Sequence, residues 1–339
     1  MGFARAQPIL RASCVIELPG RGTRKLGMPL FESYIMTDWS GGNSRRRNRE
    51  HCIWIAYGSR TDQCPKTESP SSRTEAIEFI ECLLEDALAN DQRVLVCFDF
   101  AYGYPKNFSF ALRDSTESTG KGWKVVWCYL HDTIHDDQIS MNRSNRFEVA
   151  CRINALMSRE AGPTGPFWCA NPRGAYSHIP QSRPAQPFET KQGCSIKPLR
   201  CTDKRVRGQT PFKLYGQGSV GSQTLTGIPR LYNLRFDSRF ASASAVWPFE
   251  TGWAADGLWL GKEVGILHAE IYPSVRPPMP DSIRDRGQVR SMWEWARGLD
   301  QKDSLWHEFS LPDGIEADSN EEMAIRSEEG WILGRRLND

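Results

Sequence analysis

Five apolar residues in succession, Val94-Leu95-Val96-Cys97-Phe98, stand between Arg93 and Asp99. A strand with one wet face alternates apolar and polar residues. An unbroken apolar run needs cover on both faces, which is the condition of a parallel strand inside an α/β sheet. The segment before it, Thr74 to Ala89, places Ala76, Phe79, Ile80, Leu83, Leu84, Ala87 and Leu88 at helical spacing, with Thr74 as the N-cap. Earlier still, Ser33 to Asp38 and Cys52 to Tyr57 read as two strands of a hairpin, joined by a turn rich in Gly, Asn and Arg. Hairpin, helix and buried strand in this order imply a crossover connection and therefore an α/β sheet.

Beyond Asp99, Tyr102 to Pro105 predicts a turn, and the apolar spacing predicts helices over 123–136 and 145–160. A polar loop is expected up to Ser72. Further on come a helix from Ser222 to Leu234 broken near Pro229, strands at Ala245 to Phe249 and Ile266 to Tyr272, and helices at Ile283 to Leu299 and Glu321 to Ile332. Residues 162–220 are rich in Gly, Pro, Gln and Arg with little periodicity. They read as part of a long insertion, reaching to about 245, that lies over the sheet; such a length without regular structure is usually functional. Residues 1–27 contain many Arg and a single acid, Glu17, and read as an upstream extension with Met28 as the start of a single domain over 28–339.

The 339 residues suffice for a substantial core. An apolar fraction of 39% and the absence of any run near the roughly 20 residues of a bilayer span argue against a membrane protein. Ten cysteines form no CxxC pair, and several fall inside apolar runs, the pattern of buried thiols in a reducing compartment, which points to the cytoplasm. A net charge of +2 says nothing of a polyanionic partner, but the basic residues gather in two places. One is Arg45, Arg46, Arg47 and Arg49; the other is Lys197, Arg200, Lys204, Arg205 and Arg207. Each is either a solvated loop or a phosphate contact.

Three acids close apolar runs: Asp38, Asp99 and Glu270. A carboxylate there is unfavourable to bury unless a positive group meets it, so the three point to a shared cation or a polar cleft. Asp285, opening a late helix, supplies a fourth. Four carboxylates can hold two divalent cations about 4 Å apart, activating water and stabilising the attacking and leaving oxygens of a phosphodiester. Oxygen ligands favour Mg²⁺ or Mn²⁺. Taken singly, each acid has an ordinary explanation in a turn or at a helix start. His131 and His135, with Asp132, Asp136 and Asp137 alongside, form a weaker metal candidate, lacking the Glu of an HExxH helix. Gly218, Ser219, Gly221, Ser222 and Gln223 precede or open a helix, so their N–H groups are candidate phosphate ligands with Lys213 nearby, although no Gly-Lys-Ser/Thr is present. Aromatic residues beside breakers, at Trp247-Pro248-Phe249 and Pro166-Phe167-Trp168, could line a cleft where bases stack.

Several segments together resemble a known family: Asp38-Trp39-Ser40, Phe98-Asp99-Phe100 with Gly103-Tyr104-Pro105, Asn145-Arg146-Phe147, Gly165-Pro166-Phe167-Trp168, Gly218 to Gln223 with Gly227-Ile228-Pro229, Val246 to Gly252, Glu270-Ile271-Tyr272-Pro273, Gln288-Val289-Arg290 and Glu328 to Gly334. The family is bacterial and of unassigned function, is often labelled as molybdopterin-guanine dinucleotide or cobalamin biosynthesis proteins, and is similar to predicted RNase H-like nucleases. The resemblance runs from about Tyr34 to Arg335. It implies an RNase H-like mixed sheet flanked by helices, to which this chain adds a large insertion over about 162–245 that a minimal nuclease lacks. Asp38, Asp99, Glu270 and Asp285 would be its first to fourth acids, and nucleic acid or a nucleotide its partner. One departure is that Asp99 ends a strand, whereas the ordinary ribonuclease H pattern carries its second acid on a helix. Nucleotide-binding kinases and ATPases share the superfamily, and their first-strand Asp and Gly-rich hairpin resemble Asp38-Trp39-Ser40-Gly41-Gly42. The expected activity, metal-dependent phosphodiester hydrolysis, thus has two alternatives: a nucleotide-holding accessory role in cofactor biosynthesis, and ATP-dependent phosphoryl transfer.

Overall fold

The computed structural model describes residues 29–42, 47–113, 120–136 and 143–334. The expected extension over 1–27, Arg45, Arg46 and Asp137 lie outside the described residues. In chain order the first elements are β1 (Ser33–Asp38), β2 (Trp54–Ser59), β3 (Lys66–Glu68), α1 (Arg73–Ala89) and β4 (Val94–Phe98). Then come α2 (Phe108–Leu112), α3 (Gly122–Thr133), α4 (Arg146–Met157), β5 (Phe188–Glu189), β6 (Ser195–Ile196), α5 (Cys201–Arg205) and α6 (Val220–Phe236). The chain finishes with β7 (Ser244–Val246), β8 (Ile266–Glu270), α7 (Arg284–Gln301), α8 (Asn320–Ala324) and a π-helical turn (Ile325–Glu329).

Six strands form one sheet in the order β3-β2-β1-β4-β8-β7. β2 runs antiparallel to β1 and β3, while β1, β4, β8 and β7 are parallel to one another. Alternation along each strand assigns its side chains to two cores. Ile35, Val94, Val96, Phe98 and Ile266 join the core built with α1, α3, α4 and α6. Tyr34, Met36, Leu95, Cys97, Leu267 and Ala269 join the core on the other face, where α7 contributes Val289, Met292, Trp293 and Ala296. Both faces of β4 are covered, which is why its five residues are all apolar and all buried.

The structure departs from the sequence reading where local propensity and packing disagree. Helix α6 continues through Pro229 instead of breaking there. Proline removes one backbone hydrogen bond and crowds the preceding turn, but Leu225, Ile228, Leu231 and Leu234 are fully buried, and burial of four such side chains outweighs that loss. The polar loop before Ser72 contains the edge strand β3, whose Lys66-Thr67-Glu68 carries no apolar signal. The stretch from 162 to 220 is not without regular structure: it holds the β5–β6 hairpin and α5. The last helix ends early, because Ile332 bridges to Glu270 and the N–H of Leu333 donates to the Glu270 carbonyl at 2.8 Å.

A buried carboxylate locks the start of β1 to the end of α7. Asp300 accepts the N–H groups of Leu30 and Phe31 and the hydroxyl of Tyr34, the last at 2.7 Å. Removing such an acceptor strands buried donors, so Asp300→Ala should lower unfolding free energy by about 3 kcal/mol. Urea denaturation measures this, and a loss below about 0.5 kcal/mol would contradict the clamp.

Candidate functional site

β1 and β4 pair with Thr37 opposite Phe98, so Asp38 and Asp99 stand side by side one step beyond the ladder. The two-residue period sends both toward the same face: Asp38 follows Tyr34 and Met36, and Asp99 follows Leu95 and Cys97. Helix α7 covers that face and carries Asp285 in its first turn. The N–H of Asp99 donates to the Thr37 carbonyl at 3.1 Å, and the N–H of Trp39 donates to Asp99 Oδ1 at 2.6 Å. The hairpin turn after β1 is tied to the start of α7 by two further bonds. The His51 N–H donates to Asp285 Oδ2 at 2.6 Å, and the Arg284 N–H donates to Glu50 Oε1 at 2.6 Å.

Electrostatically this is an acid cluster under strain. Asp38 and Asp99 are half-buried. Burial is the largest influence holding the Asp38 carboxyl well above the usual range, followed by Asp99 and Asp285, with Glu50 adding to it. Asp99 is pushed up to about 7, chiefly by burial and against the pull of the Trp39 N–H. Asp285 is raised by burial and by Glu50. The two carboxyl groups act on each other, and Asp99 favours the protonated form of Asp38. Among the described residues no group of three or more His, Cys, Asp and Glu side chains is drawn together as a metal shell. The donor set nonetheless suits a hard cation: its donors are carboxylate oxygens, and the neighbours acting most on Asp38 are themselves acidic.

Glu270 lies elsewhere, and strand parity gives the reason. It pairs with Phe98, so it takes the face of Phe98, opposite to that of Asp99; the β8 residue level with Asp38 and Asp99 is Ile271, which packs in the α7 core. Both Glu270 oxygens are gripped by Arg200, at 2.6 and 2.7 Å, and the Tyr102 N–H adds a third bond at 2.9 Å. Arg200 in turn binds Asp203. Burial raises the Glu270 carboxyl while Arg200 opposes it, an arrangement that joins the sheet to α5.

The expected phosphate loop is packed behind the acids. A Cβ on Gly41 would meet Ser222 at 2.9 Å, so the start of α6 rests on the loop that follows Asp38. Gln223 Nε2 donates to the Trp39 carbonyl at 2.6 Å. The Ser222 hydroxyl accepts from Arg146 and donates to Leu214, its N–H donates to Ser219, and the Gly221 N–H donates to Lys213. Gly218 sits against the Gln209 side chain. Lys213 Nζ donates to the Gln217 carbonyl and lies over the Trp168 ring. Ser222 and Gln223 thus brace the Asp38 loop. Arg47 of the first basic cluster pairs with Glu75. Of the weaker metal candidate, Asp136 pairs with Arg73 and Arg230, and His131 stacks on Tyr232.

Three contributors escaped sequence reasoning. Glu50 was hidden in the Arg-rich turn. Arg73, wholly buried, donates to the Ser40 and Gly42 carbonyls and to Asp136, clamping the loop after Asp38. Arg200 looked like one member of a solvated basic run. No local signal separates these three from surface charges. No family model, no curated protein and no solved structure matches the chain.

A carboxyl held above its ordinary value keeps its proton in the fold where the unfolded chain has lost it. Between about pH 4 and about 7 the folded state therefore binds more protons, and the pair's contribution to stability falls as pH rises through that window. Asp99→Asn should accordingly raise Tm at pH 8 in the absence of divalent cations, by about 1–3 °C; a fall in Tm would refute the unrelieved repulsion. Glu270→Gln should behave oppositely, losing about 3 kcal/mol by weakening the hold on buried Arg200, as thermal and urea unfolding would register.

Proposed function

We propose that this chain is an RNase H-like enzyme that hydrolyses phosphodiester bonds in nucleic acid or nucleotides, with Asp38, Asp99 and Asp285 as its metal-binding carboxylates and Mg²⁺ or Mn²⁺ as cofactor. The observation that carries the reading is the placing of Asp38 and Asp99 level on adjacent parallel strands, on the face where α7 brings Asp285, with burial raising all three and neighbouring acids adding to it. The strand order supports it too, with β2 the one antiparallel member of the six, as an RNase H-like sheet requires.

Bound divalent cations would supply Lewis acidity and a water that ionises near neutral pH. Asp38, Asp99 and Asp285 would hold them through carboxylate oxygens, in the ionised form that a cation favours. The Trp39 N–H fixes one Asp99 oxygen and leaves the other for coordination, while the His51 N–H does the same for Asp285. Arg73 and Gln223 hold the Asp38 loop in place and act as positioning residues. The alternatives, nucleotide holding and phosphoryl transfer, would draw on the loop N–H groups of Gly221 and Ser222, which already have protein acceptors, so hydrolysis is the favoured reading.

Calorimetric titration of Mn²⁺ and Mg²⁺ beside a cleavage assay on single- and double-stranded DNA and RNA tests this. The wild type should bind the cation and cleave only in its presence, and Asp38→Asn should lose at least about 10³-fold in rate while remaining folded. Retained turnover in that variant would overturn the assignment, and binding without cleavage would favour the nucleotide-holding alternative.

A further inference from the structure

The second basic run of the sequence divides in the fold. Arg200 is buried against Glu270 and Asp203, and Arg205 lies over Trp331 and donates to the Asp313 carbonyl. Lys197 and Lys204 instead line a cleft of about 310 Å³, where Lys106 joins them from the turn before α2. Three separate segments thus bring three ammonium groups to one wall, and among the described residues none of the three is ion-paired. Asn107, Ser195 and Asn320 add polar groups, and Asn107, at a φ of 78°, is held by its Nδ2 donating to the Ser195 carbonyl.

Two carboxylates share the wall, and both are engaged. Glu329 accepts the N–H groups of Lys106 and Cys201, at 2.9 and 2.7 Å, and Glu321 bonds the Cys201 thiol. Burial and Glu321 together push that thiol up to about 12, so it stays neutral. Three lysines thus face two carboxylates whose hydrogen bonds go to protein donors, so positive charge predominates, and an anion with several oxygens would relieve the repulsion among the lysines. The cleft lies near Glu270, on the face opposite to that of Asp99. Arg200, the residue before Cys201, grips Glu270 at the end of β8, and β8 lies beside the strand that ends in Asp99. Its volume falls at the lower end of that of small-molecule pockets.

We propose that the Lys106, Lys197 and Lys204 cleft is a binding site for phosphate groups, separate from the Asp38 centre. The inference does not depend on the acids being hydrolytic. The phosphates come either from a nucleic-acid backbone continuing along the sheet edge or from a free phosphate ester, and both present the same oxygens to the lysines.

The test compares wild type with the Lys106→Gln, Lys197→Gln, Lys204→Gln triple variant, using calorimetry with pyrophosphate and fluorescence anisotropy with a short single-stranded oligonucleotide, in EDTA. The three side chains are exposed, so circular dichroism should show an unchanged fold. Loss of at least about tenfold in affinity for the oligonucleotide, with the slope of log affinity against log salt shallower by about 2, identifies backbone phosphate. The same loss for pyrophosphate alone identifies a free phosphate ester. Equal affinity of both proteins for both probes, or no binding by the wild type, overturns the proposal. Running the assays in EDTA and repeating them on Asp38→Asn, which keeps all three lysines, separates failure of this site from failure of the metal reading.

Discussion

The parallel ladder between β1 and β4 is the constraint on which the rest depends. It sets Thr37 against Phe98, and from that single pairing the period of two sends the next residue of each strand toward α7. Two carboxyl groups are thereby brought together at a place where neither sequence segment has an acid beside it. The same periodicity puts Glu270 on the opposite face, although it ends a neighbouring strand at nearly the same level. Being one residue out of phase separates a structural carboxylate from a candidate catalytic one.

The buried ions of this protein fall into two kinds, and the difference is physical. Asp300, Glu270 and Asp136 are each surrounded by donors: backbone N–H groups and a hydroxyl for the first, Arg200 and a backbone N–H for the second, and Arg73 with Arg230 for the third. Their charge is compensated, and they hold β1 to α7, β8 to α5 and α1 to the end of α3. Asp38 and Asp99 have each other and the acids Asp285 and Glu50 for charged company. A fold that surrounds those three acids with donors while leaving this group with acidic neighbours places its least relaxed electrostatics at the carboxyl end of the sheet.

Much of this was legible in the residues. β1 and β4 have the bounds that their apolar runs predict, and α1, α3 and α7 follow their apolar spacing to within a few residues, because each buries a face whose period appears in the sequence. Asp38, Asp99 and Asp285 stood out because a carboxylate at the end of a buried run, or in the first turn of a packed helix, is a visible exception. β3, the β5–β6 hairpin and the helical course of residues 220–236 through Pro229 were not legible, since polar edge strands have no apolar period and a proline's effect depends on what the helix buries. Glu270 was misleading for a related reason: a strand pattern shows where a run ends but not which face its last residue takes relative to a neighbour.

The sequence by itself determined the α/β class, the central strands and the acids that end them, because hydrophobic periodicity and the exclusion of charge from apolar runs are local properties of the chain. Tertiary structure alone decided which acids meet. It turned Glu270 toward Arg200, recruited Glu50 and Arg73 to the Asp38 loop, used Ser222 and Gln223 as braces, and divided one basic run into a buried Arg200 and exposed lysines. Those outcomes follow from strand register and long-range contact, where the partners lie tens to hundreds of residues apart and no local pattern records the pairing.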